Sequence, residues 1–168
     1  NSTDYLLSCL KSIYDSMNGI QANVLIQDNG SEDDVDRVLQ VFPQVRLAKS
    51  TNNMGFAKAV NKGLEQCEAP YIAIINPDTV VLDGCFHEVL AYMEKNPEVG
   101  IVGPKIFDVG GTVQGSARAF PTPLTAFFGR NTILTKLFPN NSITRKNVLT
   151  KRCTNGKPME VDWVSGAC

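Results

Sequence analysis

Apolar residues follow two different periods along the first part of the chain. Helical segments place apolar side chains at i, i+3, i+4 and i+7, as Leu6, Cys9, Leu10 and Ile13 do. Strands are short apolar runs, and turn formers such as Asn18-Gly19 separate the segments. The predicted helices cover residues 6–17, 31–42, 55–67 and 83–95, and the predicted strands cover residues 22–28, 45–48, 70–76 and 100–102.

The order of these elements predicts an α/β fold. Strands alternate with helices over short links, which is typical of a doubly wound, mostly parallel sheet with helices on both faces. We expect residues 22–28 and 70–76 to be inner strands, because Tyr71 to Ile75 is a continuous apolar run typical of a strand buried on both faces.

The pattern changes after residue 104. A hairpin is predicted around Gly110-Gly111, an irregular stretch over residues 118–158, and a half-exposed strand over residues 159–164. We therefore describe residues 1–168 as a single domain with halves 1–104 and 105–168. No strand pattern precedes the first helix, and the chain stops at Cys168 within an apolar segment, so we expect a part of a longer protein.

Composition excludes several classes of function. Of the 168 residues 43% are apolar, enough for one sizeable core. Sixteen basic residues against 17 acidic ones argue against a nucleic-acid-binding protein, which usually has a basic surplus. No apolar stretch is long enough to span a bilayer. Five cysteines without a C-x-x-C pair suggest reduced thiols in a cytoplasmic protein.

Two carboxylates at predicted strand ends are the main candidates for chemistry. Ligands of open α/β sheets bind beyond the carboxyl ends of the strands, where Asp28 and Asp78 lie. Mg²⁺ is typically bound by one or two carboxylates together with substrate phosphates. The alternative for Asp78 is a plain turn residue, since Asn-Pro-Asp favours turns. Asp28 is suited to accept a hydrogen bond from a nucleobase imide, or equally to cap the second helix.

A glycine-led helix start is the third candidate. Gly55 stands where the third helix begins, with Lys58 one turn inside, and free amides at a helix N-terminus favour an anion. An ordinary amphipathic helix is the alternative. His87 has no partner histidine or cysteine nearby and is expected to be structural. The basic cluster Arg145, Lys146, Lys151 and Arg152 is either a solvated loop or a contact for an acceptor or membrane.

Taken together, these segments resemble the nucleotide-sugar glycosyltransferases of family 2, which have the GT-A fold, and especially the bacterial rhamnosyltransferase-like members. Each motif is weak alone, but their order and spacing over nearly the whole chain are specific. The matching pieces are Asp28-Asn29-Gly30-Ser31 with Asp33, Asn53-Met54-Gly55-Phe56-Ala57 with Asn61 and Gly63, Asn76-Pro77-Asp78, Arg118 with Phe120-Pro121, and Trp163-Val164-Ser165-Gly166-Ala167.

The resemblance implies roles for the matching residues. Asp28, Asn53, Gly55, Lys58 and Asn76 would bind the nucleotide. Asp78 would bind Mg²⁺ or Mn²⁺, with Asn76 in place of the first acid of the D-x-D element. Residues 1–104 would then be the nucleotide-binding half. The sugar and acceptor side would include Arg118, Trp163 and Gly166.

The resemblance also implies the reaction. An inverting, metal-assisted transfer would move a sugar from a pyrimidine nucleotide diphosphate, with dTDP-rhamnose as one candidate, to a saccharide or lipid-linked acceptor of a cell-surface polysaccharide. The reaction would take place in the cytoplasm, with membrane association open. The family's first strand is expected before Asn1 and its general base beyond Cys168. A sugar-nucleotide nucleotidyltransferase and a non-catalytic nucleotide-binding module remain as alternatives.

Overall fold

A computed structural model describes residues 3–120 and 156–165 of the chain. They fall into two compact units, one within Asn1–Lys95 and one within Asn96–Cys168. The helices of the first unit are α1 (Thr3–Ser16), α2 (Arg37–Val41), α3 (Phe56–Leu64) and α4 (Cys85–Lys95), and its strands are β1 (Leu25–Asp28) and β2 (Arg46–Lys49). The second unit contains β3 (Ala117–Arg118) and β4 (Trp163–Val164).

The first unit is built on a parallel pair of strands. β1 and β2 pair in register from Leu25 opposite Arg46 to Asp28 opposite Lys49. Parallel strands require a crossover connection, which here contains α2. The parallel α/β arrangement expected from the alternating pattern is thus confirmed.

Helices cover both faces of β1. Val24 and Ile26 pack against an apolar cluster formed by Leu10 of α1, Val38 of α2 and Val45. Leu6, Leu7, Tyr14 and Phe42 complete this cluster, and the rings of Tyr14 and Phe42 stack at 5.4 Å. Gln27 lies on the other face, because successive strand residues point in opposite directions. There a Cβ on Gly63 of α3 would be 3.7 Å from the Gln27 Cβ, in ordinary contact.

The loop before α2 caps α1. The Asp33 carboxylate accepts a hydrogen bond from the backbone N–H of Thr3 at 3.3 Å, in the first turn of α1 where N–H groups lack helical partners. The predicted second helix is correspondingly shorter than expected. It starts at Arg37 rather than near Ser31, and Asp36 is its N-cap residue.

Two predicted strands are wrong. Residues 70–76 and 100–102 contain no strand. The exposed fractions of Tyr71, Ile72 and Ile74 are 39%, 45% and 43%, although the run was expected to be buried on both faces. An apolar run only favours a strand; the strand forms where a neighbour takes up its N–H and C=O groups. No segment among the described residues pairs with either run.

The second unit contains the predicted hairpin. Phe107 bridges Val113, and the backbone N–H of Asp108 donates to the carbonyl oxygen of Thr112 at 2.8 Å. Gly111 has a φ of 75°, which a turn of this kind requires and a glycine adopts without strain. β3 and β4 pair antiparallel, so the strand predicted over residues 159–164 forms in its last two positions. Most of the irregular stretch 118–158 lies outside the described residues.

Two valines of α2 allow the core to be tested. Val38 is fully buried in the apolar cluster, whereas Val41, one turn later, is 60% exposed. We predict that Val38→Ala lowers the free energy of unfolding by about 1.5–3 kcal/mol, since it removes buried methyl groups and leaves a cavity. Val41→Ala, measured beside it by urea denaturation, should change it by less than about 0.5 kcal/mol. Equal losses would contradict the assignment of this core.

Candidate functional site

Asp28 lies at the carboxyl end of β1, as predicted. Its side chain is buried, and Oδ1 accepts a hydrogen bond from the backbone N–H of Ser31 at 3.1 Å. The carboxylate therefore closes a turn after the strand. It does not cap α2, which begins six residues beyond that turn, so this alternative is wrong. No described residue donates to Oδ2, and the role in binding a nucleobase stays a prediction.

The end of β1 is tied to β2 by a polar network. The backbone N–H of Ser50 donates to the Asp28 carbonyl oxygen at 3.0 Å. Gln27 Nε2 lies 3.2 Å from that same carbonyl oxygen and 3.1 Å from Ser50 Oγ. Lys62 Nζ lies 3.4 Å from Ser50 Oγ, which brings α3 into the network. These hydrogen bonds therefore fix the backbone position of Asp28.

An asparagine pair, Asn29 and Asn53, joins the turn after β1 to the loop before α3. Asn29 Nδ2 donates to Asn53 Oδ1 at 3.0 Å, and Asn29 Oδ1 accepts from the backbone N–H of Met54 at 2.9 Å. Asn53 Oδ1 also accepts from the backbone N–H of Gly55 at 2.9 Å. The pair brings the N-terminus of α3 beside the end of β1.

The asparagine pair changes the roles expected of the Asn53 side chain and of the backbone amides before α3. Asn53 was predicted to bind nucleotide, but its side-chain oxygen is occupied within the protein. The N–H groups of Met54 and Gly55 are likewise satisfied. An anion at this end of α3 would therefore meet the first helical turn, where Lys58 is exposed.

Asp78 lies in an exposed turn and not at the end of a formed strand. The backbone N–H of Thr79 donates to the Asn76 carbonyl oxygen at 3.2 Å, which closes this turn. The Cys9 thiol lies 3.6 Å from that same oxygen, and Ser12 Oγ accepts from the backbone N–H of Val81 at 2.9 Å. The turn therefore rests on α1. That Asp28 and Asp78 share one sheet edge stays a prediction, because the strand expected to carry Asp78 is not formed.

Burial raises the pKa of the Cys9 thiol above its ordinary value. The negative charge of Asp78 acts in the same direction, and a hydrogen bond with the Thr79 backbone opposes both. Cys9 is therefore a neutral thiol at physiological pH, and it can donate its proton to the Asn76 carbonyl oxygen.

Arg118 and Trp163 lie together in the second unit. They face each other across β3 and β4, and the Arg118 guanidinium carbon is 5.5 Å from the Trp163 ring centroid, within cation–π range. Trp163 Nε1 donates to the Ala119 carbonyl oxygen at 3.2 Å. Beside Arg118 is a cavity of about 370 Å³ with a polar lining. It is lined by Asp108, Val113, Gln114, Gly115, Ser116, Arg118 and Ser165.

Several expected features lie outside the described residues. These are Gly166 and the basic cluster at positions 145, 146, 151 and 152. Within the described part, no group of three or more histidine, cysteine, aspartate or glutamate side chains could hold a metal ion. In the same part, no helix has the length and apolar content that crossing a membrane requires.

Sequence patterns missed the contacts that position the candidate residues. In the sequence Asn29 is only one residue of the family-like segment 28–31, and its partner Asn53 is 24 positions away. Ser12 and Cys9 were interpreted only as members of an amphipathic helix. Their spacing of three residues puts them on one helical face, but nothing in the sequence indicates that the turn at Asp78 covers that face.

Comparison with known families decides the class of the protein. The family model described as glycosyl transferase family 2 matches residues 1–152. The chain belongs to glycosyl transferase family 2. The GT-A-type, Rossmann-like α/β class expected from the sequence is confirmed by this membership and by the parallel pair of β1 and β2.

Individual family 2 relatives cover different shares of the chain. An N-acetylglucosaminyl-diphospho-decaprenol L-rhamnosyltransferase of Mycobacterium tuberculosis is 29% identical over 87% of this chain and 50% of its own length. The amylovoran biosynthesis glycosyltransferase AmsE of Erwinia amylovora is 28% identical over 61% of this chain and 40% of its own. The chain thus spans about half the length of the curated relatives it matches, or less. No solved structure gives a significant match.

Gly30 allows the asparagine pair to be tested in this family 2 chain. Its φ is 80°, and a Cβ there would lie 2.9 Å from the Asn52 carbonyl carbon. Gly19 has a similar φ of 76°, but nothing lies within 4 Å of its Cβ position. Both alanine variants carry the backbone strain of positive φ, about 1 kcal/mol. We predict a further loss of about 1–3 kcal/mol for Gly30→Ala, because the two loops must separate.

Chemical denaturation of the two glycine variants checks this prediction. Amide hydrogen exchange over residues 52–56 should be faster in Gly30→Ala and unchanged in Gly19→Ala. Similar stability and exchange in both variants would mean that the close approach of the two loops does not matter for folding.

Proposed function

We propose that the protein containing this chain transfers a sugar from a pyrimidine nucleotide diphosphate-sugar to a saccharide or lipid-linked acceptor in cell-surface polysaccharide synthesis. Membership of family 2 supports the reaction class. The observation that carries the proposal for this chain is the asparagine pair, because it joins a buried carboxylate at a strand end to the N-terminus of α3. A nucleotide diphosphate needs an acceptor for its base, which the carboxylate offers, and a group that binds its phosphates, which the helix N-terminus offers.

Asp28 is the proposed acceptor for the nucleobase. Its Oδ1 is engaged by Ser31, and Oδ2 is available to accept the imide N–H of uracil or thymine. Adenine and cytosine present no such N–H, so this carboxylate favours uracil or thymine over either of them. The backbone network around Gln27 and Ser50 limits the adjustment that another base would require.

The first turn of α3 is the proposed contact for the diphosphate. Its amides and the partial positive charge of a helix N-terminus favour a bound anion. Lys58 adds a full charge on an exposed side chain in the same turn. Asn53 contributes indirectly, since its side chain fixes the loop that starts the helix.

Asp78 is the proposed ligand of Mg²⁺ or Mn²⁺, beside Asn76. Among the described residues no group of three or more histidine, cysteine, aspartate or glutamate side chains could hold a metal ion. A site with so few protein ligands suits an ion that keeps several waters and is bound jointly with substrate phosphates, as Mg²⁺ typically is. Such an ion, when bound, stabilises the negative charge of the departing diphosphate. The exposed position of Asp78 leaves room for a substrate on the same ion.

The acceptor side is proposed to include Arg118, Trp163 and Gly166. Arg118 and Trp163 offer a cation and an aromatic surface together, which suits a polar, ring-containing substrate. An inverting transfer also requires a base that removes the proton of the attacking hydroxyl, and we expect this base beyond Cys168. The transfer would then proceed in the cytoplasm, at the inner face of the membrane if the acceptor is lipid-linked.

The name of the M. tuberculosis relative supports rhamnose as the first sugar to test and a lipid diphosphate as the first acceptor. Family membership favours this transferase over the sugar-nucleotide nucleotidyltransferase considered from the sequence. A non-catalytic module would bind the nucleotide without turnover, and the same assays distinguish it.

Asp78→Asn tests the metal role. We predict that turnover of the intact protein falls by roughly 100-fold or more, because a neutral amide is a poor ligand for a hard cation and several kcal/mol of charge stabilisation are lost. Asp83→Asn changes an exposed aspartate five residues later and should retain turnover. The measurement is the initial rate as a function of Mn²⁺ concentration. Normal metal-dependent rates in Asp78→Asn would leave this aspartate a turn residue.

Asp28→Asn tests the recognition of the base. The variant keeps an oxygen for the Ser31 N–H but places an NH₂ group where the carboxylate would accept the imide proton. We predict that uridine or thymidine diphosphate binds roughly 10- to 100-fold more weakly, as for the loss of a hydrogen bond to a charged group. Calorimetric titration of the intact protein measures this effect.

Asp34→Asn is the control for Asp28→Asn, because the Asp34 side chain is exposed and only its backbone carbonyl contacts Thr3. Its affinity for the pyrimidine diphosphates should equal that of the unchanged protein. Tighter binding of adenosine or guanosine diphosphate to the unchanged protein would contradict the assignment of a pyrimidine donor.

A further inference from the structure

Helix α1 carries two side chains that contact the segment around Asp78. Ser12 Oγ accepts a hydrogen bond from the backbone N–H of Val81 at 2.9 Å. The Cys9 thiol lies 3.6 Å from the carbonyl oxygen of Asn76, within hydrogen-bonding distance for sulfur. Residues 9 and 12 are one helical turn apart and share a face of α1. The contacts therefore attach the segment 76–81 to one helix at both of its ends.

Asp78 lies between these two points of attachment. The turn between them is short, and the bond from the Thr79 N–H to the Asn76 carbonyl oxygen tightens it. Residues 70–76, which lead into the turn, form no strand, so sheet hydrogen bonds do not fix its position. α1 does, and α1 is itself held in the protein interior by its buried residues Leu10 and Ile13.

The Ser12 hydroxyl uses both of its hydrogen-bonding functions. It donates to the Cys9 carbonyl oxygen at 2.7 Å, within α1, and it accepts from Val81. The donated bond directs the hydroxyl proton into the helix, which leaves a lone pair for the Val81 N–H. Removal of the hydroxyl would leave that N–H without its acceptor in a half-buried place.

We propose that Ser12 is a positioning residue for Asp78: through Val81 it fixes the turn so that the Asp78 carboxylate meets the metal-bound diphosphate in one geometry. Cys9 supports the other end of the turn. The inference rests on the metal role of Asp78 proposed above. It assigns α1, which carries no predicted ligand, to the metal side of the reaction.

Ser12→Ala in the intact protein tests the inference, and Ser16→Ala is its matched control. Ser16 is in the same helix, and its hydroxyl makes the same kind of bond, to the carbonyl oxygen of Ile13 three residues earlier, at 3.0 Å. Among the described residues, the Ser16 hydroxyl has no hydrogen bond to the segment 76–81. The two variants therefore lose the same helical bond and differ in the bond to Val81.

Two measurements are needed. Amide hydrogen exchange over residues 76–82 should be faster in Ser12→Ala and unchanged in Ser16→Ala. The Mn²⁺ concentration for half-maximal activity should rise about three- to tenfold in Ser12→Ala, the effect of one neutral hydrogen bond, and stay constant in Ser16→Ala. KM for the donor at saturating metal should be unchanged in both. Ser12→Thr, which keeps the hydroxyl, should restore the metal response.

Unchanged exchange over residues 76–82 in Ser12→Ala would overturn the inference, because the bond would not fix the turn. An unchanged Mn²⁺ response in Ser12→Ala, when Asp78→Asn abolishes that response, would overturn the positioning role alone and leave the proposed function intact. A normal Mn²⁺ response in Asp78→Asn would overturn the metal role and this inference together. Equal effects in Ser12→Ala and Ser16→Ala would assign the loss to α1 stability and contradict the inference.

Discussion

The first unit depends on the position of β1 between two different environments. Val24 and Ile26 enter the apolar cluster around Leu10, whereas Gln27 faces α3 among polar groups. A shift of one residue would place the Gln27 amide in that cluster and the two apolar side chains among the polar groups facing α3, at a cost of several kcal/mol. This constraint fixes the register with β2 and therefore the point at which the strand ends. The packing of the core therefore places Asp28 at the end of β1.

Local sequence patterns were sufficient to predict the elements that bury an apolar face. The helical spacing around Leu10, the strand ending at Asp28 and the hairpin at Gly111 all form as expected, because each depends on contacts that a short window of sequence shows. The apolar run at Ile72 and Ile74 has as strong a strand pattern, yet it is exposed and unpaired among the described residues. A strand needs a neighbour, and a pattern within one segment carries no information about its neighbour.

The candidate site shows the same limit at the level of single residues. The candidate residues Asp28, Asp78 and Arg118 could be selected because carboxylates at predicted strand ends and motifs in family order indicate them. The residues that position these candidates could not be selected from the sequence, since Asn53 stabilises a turn 24 residues away and Ser12 contacts a backbone amide 69 residues away. These polar contacts leave no periodic trace in the sequence. Only the folded backbone brings them together.

The asparagine pair has a consequence for exchanging parts between related transferases. The side-chain oxygens of Asn29 and Asn53 each accept a hydrogen bond from a backbone N–H of the loop before α3. The Asn29 amide group also donates directly to Asn53. Gly30 leaves no room for a side chain against the backbone of Asn52. A graft that replaces one loop alone would leave unmatched donors or a steric clash in the other. Chimaeras that exchange this region must therefore transplant both loops as one unit.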